Sequence, residues 1–162
     1  MGALTGKVAI VTAAGSGVGR GAAIALARAG AHVVASGRTV SKCHAVVKEI
    51  EAVGGVATAF ECDVRIPARI DACVGHALDA YGGIDVLVNA ADDPRVDVPF
   101  LELTEDDMLA SWRTGVMGTV RFTQACVPPM RVRGSGAIVN VASGAGLLAP
   151  PGMAAYSSSQ EA

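Results

Sequence analysis

The sequence predicts an α/β domain built on a doubly wound parallel sheet, and three observations predict it. Short apolar runs alternate along the chain with segments of helical period. The runs are almost continuously apolar, as strands are when helices cover both faces of a sheet. A glycine-rich turn joins the first run to the first helix, where a parallel α/β sheet binds its ligand. At 162 residues the chain reads as one domain, residues 1–162. Half of it is hydrophobic (51%) and only 17% is charged, which favours a heavily buried sheet over a disordered chain.

The elements follow in order. Val8–Ala13 reads as strand 1 and Gly17–Ala29 as a helix with Ile24 and Leu26 inward and Gly30 as its stop. His32–Gly37 is strand 2. Ser41 can cap a helix with Val46, Ile50 and Val53 on one face, ended by Gly54-Gly55. Val56–Val64 is strand 3. Pro67 opens a helix carrying Ile70, Cys73, Val74, Ala77, Leu78 and Tyr81 at helical spacing. Val86–Ala91 is strand 4. Thr104-Glu105-Asp106-Asp107 resembles a capping box with Asp at the usual Glu position, opening a long helix that runs toward Pro128-Pro129. Ala137–Ser143 is strand 5, and a further helix begins near Ala154.

Composition narrows the function. A net charge of −2 gives no reason to expect nucleic acid or an anionic membrane as partner. No apolar run is long enough to span a bilayer. The four scattered cysteines contain no C-x-x-C pair, as expected of buried free thiols in a reducing cytoplasm. No metal site is expected.

Thr12-Ala13-Ala14-Gly15-Ser16-Gly17-Val18-Gly19 closes strand 1 and opens the first helix. Glycines there let a backbone approach a pyrophosphate, and the helix N-terminus offers free N–H groups and partial positive charge. This is a Rossmann-like dinucleotide signal; the bland alternative is a tight turn without a ligand. At the end of strand 2, where an acid would bond the ribose 2′-hydroxyl of NAD, the chain reads Ser36-Gly37-Arg38-Thr39. Arg38, with Ser36 and Thr39, suits a 2′-phosphate. The expected cofactor is therefore NADP(H), with NAD(H) left open; the alternative is a solvated arginine.

Several stretches together resemble the short-chain dehydrogenase/reductase family. They are Leu4–Thr12 with the glycine turn, Cys62-Asp63-Val64, Gly83-Ile84-Asp85-Val86-Leu87-Val88-Asn89, Ile138–Ser143 and Tyr156, with Ser143 and Tyr156 thirteen apart. The resemblance covers essentially the whole chain. It implies that Thr12, Gly15, Ser16, Gly17, Val18 and Gly19 form the cofactor turn, with Gly17 and Gly19 facing the pyrophosphate. It implies that Asp63 and Val64 contact the adenine and that Asn89 lies beside the cofactor. It implies that Ser143 orients the substrate oxygen and that Tyr156 passes a proton to or from it. The reaction would move a hydride between nicotinamide and an alcohol or ketone.

The chain departs from the family pattern at four positions. Ala13 stands where the turn has its first glycine, a cost of about 1–2 kcal/mol if φ is positive there. Asp92 replaces a glycine and brings negative charge toward an anionic cofactor. Gly115 aligns with the family's catalytic asparagine. Gln160 replaces the lysine that lowers the tyrosine pKa and bonds the nicotinamide ribose. A lysine at ~4 Å would be worth up to about 4 kcal/mol at an effective dielectric of about 20, and a glutamine brings no net charge. Lys7, Lys42 and Lys48 are placed too far to substitute; Arg113 and Arg121 stay open.

The family pattern continues beyond Ala162, so the chain is expected to be C-terminally truncated, with an incomplete sheet edge. Strand 5 would then be open to self-association or to pairing with another chain. The expected function is that of an oxidoreductase by ancestry, acting on a small-molecule alcohol or carbonyl, weak or inactive in this form. The alternatives are a pseudoenzyme that binds cofactor or a partner, and a fragment without function.

Overall fold

The computed structural model describes residues 2–94 and 96–162. Five strands form one parallel sheet: β1 (Val8–Val11), β2 (His32–Gly37), β3 (Val56–Glu61), β4 (Val86–Asn89) and β5 (Ala137–Asn140). The sheet order is β3-β2-β1-β4-β5, so the chain crosses the sheet between β3 and β4. That reversal opens a crevice beyond the C-terminal ends of β1 and β4, the usual ligand position of a doubly wound sheet. The α/β expectation is met.

The helices are α1 (Gly17–Arg28), α2 (Val40–Ala52), α3 (Pro67–Tyr81), α4 (Glu105–Ser111), α5 (Met117–Val132), α6 (Gly144–Leu148) and α7 (Ala154–Glu161). Side chains alternate across each strand, so the sheet feeds two cores. Ala9, Val11, Val33, Ala35 and Val88 pack with Ala23 and Ala27 of α1 and with Val46 and Ile50 of α2. Ile10, Val34 and Leu87 pack with Ile70, Cys73, Val74 and Ala77 of α3 and with Phe122, Cys126 and Met130 of α5. Ile10 lies in register with Val34 on one side and Leu87 on the other, which aligns the second core across three strands. All four cysteines are buried and free.

The strands end earlier than their apolar runs. Strand 1 stops at Val11, strand 3 at Glu61, strand 4 at Asn89 and strand 5 at Asn140. The residues just beyond are buried at the crevice: Thr12, Ala14, Cys62 and Val64 are all buried, and Thr12 and Cys62 still donate a backbone N–H to Val88 (3.0 Å) and Gly37 (3.1 Å). Apolarity there reports burial, which the pattern cannot separate from pairing. Helix α2 starts one residue before Ser41, with Thr39 at the N-cap, and Val53 is 54% exposed rather than inward. Leu78 is likewise exposed on α3.

The helix from Thr104 begins as expected. Thr104 Oγ1 accepts from the Asp107 N–H at 3.2 Å, and the Asp107 carboxylate accepts from the Thr104 N–H at 3.1 Å. Its interior differs: α4 passes through a wide π turn, Trp112–Val116, before α5 resumes. Pro128-Pro129 lies inside α5 instead of ending it. The short α6 is an element the sequence pattern did not announce.

At the far end of the sheet, Asp85 is buried and accepts from the Val8 N–H (2.9 Å), Lys7 Nζ (3.1 Å) and Arg133 Nε (3.1 Å). This network pins β1, β4 and the end of α5 together. It also fixes Lys7 at the end opposite the crevice.

Candidate functional site

The crevice begins at the turn after β1. Ala13 takes φ 50 and Gly17 φ 52, both left-handed. A Cβ at Gly19 would fall 2.5 Å from the Ala13 carbonyl oxygen, and one at Gly15 would fall 2.8 Å from Lys42 Cβ. Gly17 faces open space. The glycines at 15 and 19 therefore allow the turn to fold against α2 and α1, while Gly17 leaves its approach clear. Ser16 is the N-cap of α1 and makes no side-chain cap bond, so it does not consume the first-turn N–H groups. Val18 is 63% exposed beside them.

Thr12 is placed differently from its implied role. It is buried, and its Oγ1 accepts from the N–H groups of Ala90 (2.8 Å) and Ala91 (3.0 Å). It stitches the end of β1 to the segment after β4 and shapes the crevice from below.

Arg38 is exposed and lines a cavity of about 210 Å³ with Ala13, Gly15, Ser16, Thr39, Lys42 and Asp92. Lys42, placed on α2 away from Tyr156 as expected, joins this cavity as a second cation. Its signal was available: it lies one helical turn past Arg38. Ser36 does not join Arg38. It is fully buried, directed toward the Cys62 and Cys73 thiols rather than the crevice.

Asp63 is engaged by Arg65, which donates from its backbone N–H (3.0 Å) and its guanidinium (2.6 Å). That hydrogen-bonded cation holds the Asp63 carboxyl below the usual range despite burial, with Arg38 adding a smaller pull. Val64 is buried and lines the crevice floor with Arg38, Cys62 and Asp92. Gly118 of α5 lies against it, since a Cβ there would meet Val64 Cγ2 at 2.8 Å. Asn89 is buried at the end of β4 and donates to Asn140 Oδ1 at 3.0 Å. Asn140 was missed in the sequence; its pairing with Asn89 in the β4–β5 register is what the strand alignment could have revealed.

Ser143 and Tyr156 are brought together. Ser143 caps α6, its Oγ accepting from the Ala145 N–H at 3.2 Å, and its hydroxyl also acts on the Tyr156 phenol. Burial raises the Tyr156 pKa above that of a free tyrosine; Ser143 pulls it down and the Asp92 carboxylate pushes it further up. Among the described residues no cation acts on this phenol. Lys7 is committed to Asp85, Arg113 is exposed, and Arg121 donates to the Arg65 carbonyl at 3.3 Å.

Gln160 donates to Asp92 Oδ2 at 3.0 Å, and Asp92 Oδ1 accepts from the Asp93 N–H at 2.7 Å. Burial raises the Asp92 pKa, while the Asp93 N–H and the Tyr156 hydroxyl draw it back. Gly115 sits within the π turn. Its absent side chain helps open a cleft of about 250 Å³, bounded also by Ala91, Asn140, Ser159 and Gln160. Trp112 Nε1 donates to Ser158 Oγ at 3.0 Å, so the π turn also holds α7 in place. A short helix of this composition needs such packing.

A crevice with a glycine cradle, a two-cation pocket and a Ser–Tyr pair can hold a dinucleotide and place a proton donor beside it. A family model described as short chain dehydrogenase matches residues 7–162. Over 161 residues the chain is 37% identical to a 3-oxoacyl-[acyl-carrier-protein] reductase of Synechocystis sp., covering 99% of this chain and 65% of that protein. It is 34% identical to a 3-oxoacyl-[acyl-carrier-protein] reductase of Thermotoga maritima, covering 97% of the chain and 63% of the relative. It is also 34% identical to a 7alpha-hydroxysteroid dehydrogenase of Escherichia coli, covering 98% and 62% respectively. The chain thus spans a little under two thirds of the length of these relatives. No helix among the described residues is long and apolar enough to cross a membrane.

Proposed function

Because the chain belongs to the short chain dehydrogenase family, we propose that it binds a nicotinamide dinucleotide in the crevice between β1 and β4 and serves hydride transfer to or from a small alcohol or carbonyl. The observation that carries this reading is the cradle itself. Gly15 and Gly19 leave no room for a Cβ on the protein side, and Gly17 leaves the solvent side clear. Those are the demands of a backbone that admits a pyrophosphate at a helix N-terminus.

The residues divide the work. Gly15, Ser16, Gly17, Val18 and Gly19 hold the pyrophosphate, with Thr12 fixing the turn from beneath. Arg38 and Lys42 supply two positive charges to a 2′-phosphate, which favours NADP(H) over NAD(H). Val64 floors the adenine end, Asp63 orders the neighbouring loop through Arg65, and Asn89 with Asn140 closes the strand ends. The bound dinucleotide supplies the hydride chemistry. Ser143 orients the substrate oxygen, and Tyr156 holds or accepts its proton.

Without a cation beside Tyr156, turnover at neutral pH is slow relative to a chain with the family lysine. A second reading rests on that same observation: a cofactor-binding protein with little or no catalysis. A thermal-shift titration with NADPH, NADP⁺, NADH and NAD⁺, paired with a ketone reduction assay, separates them. Ligand at 100 times its dissociation constant should add about 2.7 kcal/mol of stability. A saturable shift, larger for the phosphorylated pair, supports the site. Turnover decides between enzyme and binder, and absence of any shift overturns both.

A further inference from the structure

The segment after β4 holds one carboxylate in a fixed place without a cation to balance it. Thr12 Oγ1 accepts from the Ala91 N–H at 3.0 Å on one side of Asp92, and Ser111 Oγ donates to the Asp93 carbonyl at 2.9 Å on the other. Between these anchors the half-buried Asp92 side chain accepts from the Asp93 N–H at 2.7 Å and from Gln160 Nε2 at 3.0 Å. Both donors are neutral amides. Among the described residues no lysine or arginine forms an ion pair with Asp92. The amides hold the carboxylate in position and leave its charge uncancelled.

The position of that charge gives it a target. Asp92 lines one cavity with Ala13, Gly15 and Ser16 of the glycine turn, and it bonds Gln160 of α7, one helical turn beyond Tyr156. The carboxylate therefore stands between the pyrophosphate cradle and the helix of the proton donor. Hydride and proton go to the two ends of one C=O bond, so a nicotinamide ring must lie within one small substrate's reach of Tyr156. A dinucleotide anchored at the turn reaches that place past Asp92. Its phosphates carry the same charge in both redox forms, whereas the ring is neutral when reduced and cationic when oxidised.

We propose that Asp92 selects the redox form of the dinucleotide, favouring NADP⁺ over NADPH through the positive charge of the oxidised ring. The proposal rests on the dinucleotide-binding reading above and holds whether the chain is an enzyme or a binder. A carboxylate repels the phosphates equally in both forms, so that cost cancels from the ratio of their affinities. Arg38 and Lys42 lie in the same cavity, and their attraction for a 2′-phosphate cancels in the same way. What remains is the attraction between carboxylate and ring. At ~10 Å and an effective dielectric of about 20, one unit charge changes the ratio about tenfold. The glycine that the family resemblance leads one to expect here makes no such choice. By weighting the bound pair toward its oxidised form, Asp92 favours carbonyl reduction at the site over alcohol oxidation.

Calorimetric titration of the full chain with NADP⁺ and with NADPH tests this without turnover. Mildly alkaline buffer keeps the carboxyl ionised, and low ionic strength limits screening. Asp92→Asn keeps the size of the side chain, and the Gln160 amide can turn to satisfy it. Loss of the charge should tighten NADPH about tenfold more than NADP⁺. Asp92→Gly, which restores the residue of the family pattern, should move the ratio the same way and carries the test if the asparagine variant does not fold. Equal changes in both affinities, or a ratio that does not move, overturn the selection and leave the binding site standing. A ratio that moves toward NADP⁺ overturns it as well. Failure of the native chain to bind either form fails the dinucleotide reading itself, and the selection with it.

Discussion

Gln160 of α7 and Asp92 of the segment after β4 are hydrogen-bonded partners, 3.0 Å apart, and each stands where the family resemblance leads one to expect a different residue. A lysine and a glycine at these positions would leave a charge free to act on Tyr156. Here the amide and the carboxylate engage each other. The two replacements are one structural unit, and their effects should not add.

Substituting one of them alone should accordingly achieve little. In Gln160→Lys the new ammonium meets the Asp92 carboxylate first, so its influence on Tyr156 is largely spent on an ion pair. Ketone reduction is expected to rise less than threefold in the single variant and at least tenfold in Gln160→Lys with Asp92→Gly, by about 1.4 kcal/mol or more. Steady-state kinetics of the two single variants and the double variant measure the coupling; simple additivity would break the account of this pair.

The Gly115 position should accept a side chain. A Cβ there meets nothing nearer than 3.6 Å, the closest atoms being Asp92 Oδ1 and Ser159 Oγ. Gly115→Asn should fold normally and gain about 0.3 kcal/mol from helix propensity, seen as a slightly higher Tm. A clear loss of stability would mean that the π turn depends on glycine.

Ala13 tests the backbone. Its φ of 50 places a Cβ in the left-handed region, at a cost of about 1–2 kcal/mol. Ala13→Gly relieves that strain and raises the unfolded-chain entropy by about 0.5–1 kcal/mol. The net expectation is a gain of about 0.5 kcal/mol in urea unfolding. A loss would show that the turn is held by the methyl group.

This turn also shows what the sequence could and could not disclose. The strand–glycine–helix pattern located the crevice because glycine spacing and apolar runs are local signals. The cost at Ala13 was foreseeable because an alanine stands in a glycine's place. The early ends of the strands were not foreseeable, since Thr12 and Val64 stay buried at the crevice past the last strand residues. The Asn89–Asn140 and Gln160–Asp92 bonds join residues 51 and 68 positions apart. Such contacts depend on tertiary register, which no periodicity encodes. Ser36 misled for a related reason: its neighbour Arg38 faces out, and strand alternation should have turned attention to the opposite face only with the sheet's covering known.

Asp85 gives the stability prediction with a pH sign. Burial pushes its carboxyl up, but the Val8 N–H, Lys7 and Arg133 outweigh this and hold it below the usual range. A group with a lowered folded-state pKa stabilises the fold above its unfolded value, and that contribution disappears as pH falls through the folded value. Asp85→Asn should therefore cost about 2 kcal/mol at neutral pH. The gap between variant and native should narrow below the normal carboxylate range. Denaturant unfolding at several pH values checks both points; a gap that stayed constant into acid would exclude an ionic role.

The central claim is that the crevice between β1 and β4 holds a nicotinamide dinucleotide. Trp112 is the only tryptophan in the chain and lies in the π turn, bonded to α7 beside Tyr156. Titrating its emission with NADPH, whose reduced nicotinamide absorbs in that range, tests the claim most directly. Saturable quenching is predicted, with Arg38→Ala weakening NADPH at least tenfold and leaving NADH nearly unchanged. Quenching that never saturates, identical for both dinucleotides and indifferent to Arg38, would contradict it.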